Sequence, residues 1–92
     1  MLLAISLAYS ATPLSEAGAT RLAVRLANEQ SVQRFGVSPF QPASSTLRLV
    51  RGRWEWEARS RYQRGDLLAQ VFFSTTGTDR VVRVNILDSQ RD

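Results

Sequence analysis

The chain has no cysteine, no histidine and no lysine. Each absence removes chemistry. Without cysteine there is no disulfide, no thiolate nucleophile and no sulfur ligand for zinc. Without histidine there is no Ser-His-Asp triad. Without lysine there is no Schiff base and no P-loop for a nucleotide. No apolar run reaches the roughly 20 residues needed to span a bilayer as a helix. At 92 residues, folding supports one modest core, so residues 1–92 read as a single domain. A hydrophobic share of 43% beside 22% charged residues excludes a disordered chain.

What is abundant is arginine. It supplies all 12 basic residues, against 8 carboxylates, for a net charge of +4 and a pI near 11.0. Two readings are open. An arginine-rich surface suits nucleic acid, anionic lipid or an acidic protein partner. Arginine without lysine also follows from GC-rich codons, with no function attached.

The opening segment, residues 1–11, has three readings. Ala8 and Ser10 are small residues before a signal-peptidase cut at Ala11, although the segment carries no basic residue. Leu3, Ile5, Leu7 and Tyr9 alternate with small residues, the period of a strand. The segment can also extend the helix that follows. Cleavage implies an exported, periplasmic protein, and retention a first strand in the cytoplasm.

Residues 12–35 read as helical. Thr12 suits the N-cap and Pro13 the first helical position, with Ser15 as the competing cap. Ala19, Leu22, Ala23, Leu26 and Ala27 fall on one face. Arg21, Arg25, Asn28 and Glu29 fall on the other. Gly18 suggests close packing against a sheet. Gly36 is a natural stop after Phe35, which puts the helix over about 13–34. Pro39 and Pro42 force an extended connection over 36–45, and Phe40 between them docks on the core.

The remainder, 46–88, reads as a β meander. Residues 46–50 form a short strand, followed by an Arg51-Gly52 turn. Residues 53–62 alternate cleanly. Trp54, Trp56, Ala58, Ser60 and Tyr62 share one face, and Arg53, Glu55, Glu57, Arg59 and Arg61 the other. A turn over 63–66 leads to a strand over 67–74, with Ala69, Val71 and Phe73 inward. A turn over 75–79 leads to the last strand, 80–87, with Val82, Val84 and Ile86 inward. Connections this short imply antiparallel neighbours. The expected fold class is α+β, one long helix packed on a four-stranded antiparallel meander. A fifth, N-terminal strand is present if residues 2–9 are retained.

Glu55 and Glu57 sit about 7 Å apart along a strand, which admits a glycosidase-like pair. The flanking arginines make a solvated charge ladder the better reading. Trp54, Trp56 and Tyr62 admit a stacking platform for bases, but their apolar face is also the only core face that strand offers. Arg64-Gly65-Asp66 matches an adhesion tripeptide and equally a hairpin turn. Asp66, Asp79 and Asp88 lack the spacing of a calcium loop. Arg48, Arg53, Arg59, Arg61 and Arg83 fall on the outer sheet face, where they suit an acidic partner or phosphates.

Helix and meander together resemble the PepSY-like group of small exported bacterial domains. The resemblance rests on Phe35-Gly36 ending a long helix, on Gly52-Arg53-Trp54-Glu55-Trp56, and on the Thr76-Gly77 turn before a valine-rich strand. It implies a domain that binds or inhibits proteins in the cell envelope. The chain also resembles the cystatin-like fold, with residues 2–9 as the strand before the helix. Arg48-Leu49-Val50-Arg51-Gly52 takes the place of that family's Gln-x-Val-x-Gly loop. Valine and glycine match, glutamine is replaced, and no Pro-Trp pair follows, so the likeness implies the fold rather than protease inhibition.

The expectation is therefore a binding or inhibitory module, not an enzyme and without cofactor or metal. It acts on a protein through Arg53, Arg59, Arg61 and Arg83, or through an edge strand that also admits a homo-oligomer. The alternatives are a nucleic-acid or polyanion binder and a subunit of an oligomeric enzyme.

Overall fold

The computed structural model of the chain describes residues 12–87. The alternating segment 2–9 lies outside these residues, and so do both the signal-peptide and first-strand readings and Asp88. One helix, α1 (Glu16–Phe35), packs on one sheet. Its strands are β1 (Ser45–Val50), β2 (Arg53–Tyr62), β3 (Gly65–Ser74) and β4 (Val81–Leu87). They lie in the order β1-β2-β3-β4, each antiparallel to the next. This is the expected α+β meander.

The helix starts later than expected. Ser15, not Thr12, is the N-cap, and its Oγ accepts from the Gly18 N–H at 3.0 Å. Pro13 therefore lies ahead of the helix. The cause is tertiary, because the Leu14 N–H donates to the Thr75 carbonyl at 2.7 Å. That bond straps the segment onto the β3–β4 turn. Gly18 serves this cap rather than the sheet, since a Cβ there would sit 3.3 Å from Ser15 Oγ. At the far end Gly36 takes φ +78°, and its N–H reaches the Ser31 and Val32 carbonyls.

Ala19, Ala23, Ala27 and Ser31 are fully buried along one stripe of α1. Side chains this small let the helix backbone lie close to the sheet. Leu22, Val24 and Leu26 pack beside them. The sheet contributes Trp54, Trp56 and Ala58 from β2, Leu67, Ala69, Val71 and Phe73 from β3, and Val84 from β4. Phe40 is buried and meets Trp56 edge-on, with ring centroids 6.3 Å apart. Among the described residues, Ser31 Oγ and both tryptophan Nε1 atoms are buried without a hydrogen-bond partner.

Further details differ from the sequence reading. Asn28, expected on the solvent side, is half-buried and holds the backbone of Phe40. The connection is not extended throughout, because Pro42–Ser44 makes one 3₁₀ turn. β1 and β3 begin earlier, at Ser45 and Gly65, and β4 begins one residue later, at Val81. Ile86 is on the helix side, opposite Leu67, yet is 52% exposed. It lies on an edge strand, with a neighbour on one side only. The last helical turn brings Arg34 to this strand instead of an apolar group, donating to the Val84 carbonyl.

Candidate functional site

The face of the sheet away from α1 carries no second layer among the described residues. The registers set its side chains in rows. Arg48, Glu55, Phe72 and Val81 form one row. Thr46, Glu57, Gln70 and Arg83 form the next. Arg59, Leu68 and Asn85 follow, then Arg61, Asp66 and Leu87. Arg53 lies beyond the first row, opposite Val50 and Ser74.

All four expected binding arginines are on this face, but they are not one cluster. Arg53 and Arg61 are eight residues apart on β2, about 27 Å along an extended strand. Arg53 donates to the Asp79 carbonyl at 3.3 Å, which ties it to the β3–β4 turn. Arg59 pairs with Asp66 at 3.7 Å. Arg61 is exposed at the β2–β3 end. Arg83 lies over the Phe72 ring, 6.0 Å from its centroid. Arg48 pairs with Glu55 at 3.1 Å.

Between these arginines is a shallow hollow of about 320 Å³, bordered by Thr46, Arg48, Glu55, Glu57, Gln70 and Phe72. Thr46 and Gln70 are short or neutral beside longer neighbours, and this difference leaves the space. Sequence alone did not pick out these two. The signal was the parity of β1 and β3, usable only once the register across β2 is known.

The carboxylates Glu55 and Glu57 do project on the same side, as their spacing requires. Both border the hollow, and Glu55 is held by Arg48. The stacking-platform reading is overturned. Trp54 and Trp56 are 7% and 1% exposed and belong to the core. Tyr62 packs edge-on against Phe35 at 5.7 Å and donates to the Phe35 carbonyl at 3.4 Å. The adhesion tripeptide is not a turn. The turn is Gln63-Arg64, with Gln63 at φ +54°, while Gly65 and Asp66 already belong to β3. Asp66 is directed to Arg59 across the sheet.

Among the described residues, no group of three or more acidic side chains is placed to hold a metal ion, and no helix is long and apolar enough to cross a membrane. Comparison with protein-family models, with curated proteins and with solved structures finds no match.

Proposed function

We propose that this protein is a non-enzymatic protein-binding module whose contact surface is the outer face of the sheet. One observation carries the reading. Arg48, Arg59 and Arg83 alternate with Glu55, Glu57 and Asp66 around the half-buried Phe72 and Leu68, on a face with no second layer among the described residues. Interleaved charges of both signs around an apolar centre suit a partner protein of complementary pattern. The resemblance to PepSY-like domains leads to the same reading and is proposed with it, and the cystatin-like resemblance is proposed for the fold alone.

A polyanion would meet three carboxylates on this face and find no exposed tryptophan to stack on. That arrangement favours protein over nucleic acid. An enzymatic role would rest on Glu55 and Glu57, and Glu55 is already paired with Arg48.

The test places a photo-crosslinking amino acid at Gln70 in the native host. The expected result is one dominant protein adduct, lost in the triple variant R59E/R61E/R83E. Adduct formation equal to that from a probe at Glu29, on the solvent side of α1, overturns the reading. Binding of single-stranded or duplex DNA that falls steeply with salt does so as well.

A further inference from the structure

The two edges of the sheet are not equivalent. On β4, the Arg34 guanidinium donates to the Val84 carbonyl, so a mid-strand edge acceptor is already occupied. Occupied or charged edges resist pairing with another chain. On β1, no side chain among the described residues hydrogen-bonds to the backbone of residues 46–50. The helix packs mainly over β4 and β3, so the helix side of β1 is thinly covered. Leu47 is only half-buried there and Leu49 is 54% exposed. A shallow groove bordered by Ala17, Thr20, Arg21, Pro42 and Leu47 runs along this side.

We infer that β1 pairs antiparallel with β1 of a second copy, joining two sheets into one of eight strands. Self-pairing about a two-fold axis keeps each side chain on its own face, so only residues of equal parity meet. Few registers remain. Centring on Arg48 sets two like charges directly opposite, which is destabilising. Centring on Thr46 leaves Leu49 without a strand residue opposite, and centring on Leu49 sets Leu47 against the Arg51 turn. Centring on Leu47 pairs all of residues 45–49 and avoids these faults.

In that register Leu47 meets Leu47 of the second copy, and each Leu49 meets Ser45. The apolar helix side of β1 is then covered from both directions. On the outer face each Arg48 meets Thr46 of the other copy, whose other neighbour is Glu57. Among the described residues, no hydrogen bond or ion pair reaches the Glu57 carboxylate. Each Arg48 is then flanked by its own Glu55 and by Glu57 of the second copy, two strand spacings away across a small threonine. The occupant is thus a second copy because one short strand supplies both the apolar and the charge complement.

The chain lacks cysteine, so introduced thiols report without background. Directly opposed residues of an antiparallel pair have Cα atoms about 4.5–5.5 Å apart, within disulfide range. Under mild oxidation L47C is expected to give a covalent dimer as the main product, and S45C/L49C likewise. L49C alone and V81C on β4 are expected to stay monomeric. Sedimentation equilibrium of the unmodified chain is expected to show a monomer–dimer equilibrium, weakened roughly tenfold or more by R48E, which sets like charge against Glu57. A monomer persisting at about 200 µM, far above a micromolar dissociation constant, overturns the inference. Cross-linking of L49C or V81C as efficient as that of L47C does so too. Neither result bears on the sheet-face reading, whose adduct is read at Gln70.

Discussion

Asn28 on α1 holds both backbone groups of Phe40. Its Oδ1 accepts from the Phe40 N–H at 2.9 Å, and its Nδ2 donates to the Phe40 carbonyl at 3.1 Å. This bidentate clasp keeps the connection against the helix while the Phe40 ring enters the core beside Trp56. Removing it leaves a part-buried N–H and C=O unpaired. Asn28→Ala is expected to cost about 2–3 kcal/mol in urea denaturation. Asn28→Asp keeps the acceptor and loses the donor, and is expected to fall between the two.

Two glycines at positive φ separate backbone strain from crowding. Gly52 is at φ +77° with nothing within 4 Å of where a Cβ would sit, so Gly52→Ala meets only the left-handed backbone penalty, about 1–2 kcal/mol. Gly77 is at φ +86°, and a Cβ there would lie 3.2 Å from Leu22 Cδ2 and 3.3 Å from Leu14 Cδ1. Gly77→Ala adds crowding to the same penalty and is expected to cost about 2–4 kcal/mol. Equal losses for the two variants in thermal or urea unfolding would refute the packing role of Gly77.

Ser31 continues the alanine stripe with a hydroxyl that has no partner among the described residues. Ser31→Ala removes that buried polar group and improves helix propensity. It is expected to stabilise the protein by about 1–2 kcal/mol. A loss of stability would mean that the hydroxyl is hydrogen-bonded in solution.

The close approach of helix and sheet depends on side-chain size at Ala23. Ala23→Leu inserts three carbon atoms where the residue is fully buried. It is expected to destabilise by about 1–3 kcal/mol, while Ala17→Leu on the exposed side changes little. Comparable effects at both positions would contradict the burial of Ala23 between helix and sheet.

Both tryptophans are core residues, so fluorescence reads the fold directly. Emission is expected to be blue-shifted in the native state and resistant to iodide, with red shift and quenching on unfolding. Strong iodide quenching of the folded protein would place an indole at the surface, where the structure has none.

Much of the fold was legible because its signals are local. The two-residue alternation of 53–62 states which side of β2 is buried, and the observed strand has those bounds. Gly36 stops α1 where a left-handed residue is required. Arg51 and Gly52, both at positive φ, turn β1 into β2. The site was legible only in part. Parity put Arg53, Arg59, Arg61 and Arg83 on one face, but it does not give neighbours across strands.

By itself, then, the sequence determined the elements, their faces and the chemistry ruled out by its missing cysteine, histidine and lysine. Tertiary structure decided the rest. The helix begins at Ser15 because the Leu14 N–H is drawn to Thr75, some sixty residues away in the chain. Asn28 turns inward because Phe40 returns to it. Arg59 finds Asp66, Arg48 finds Glu55 and Arg83 finds Phe72 through the three registers that join four strands. Periodicity is a property of neighbours in sequence, whereas pairing depends on which strands lie side by side and in what register. The arginine-rich composition becomes a patterned surface only at that second level.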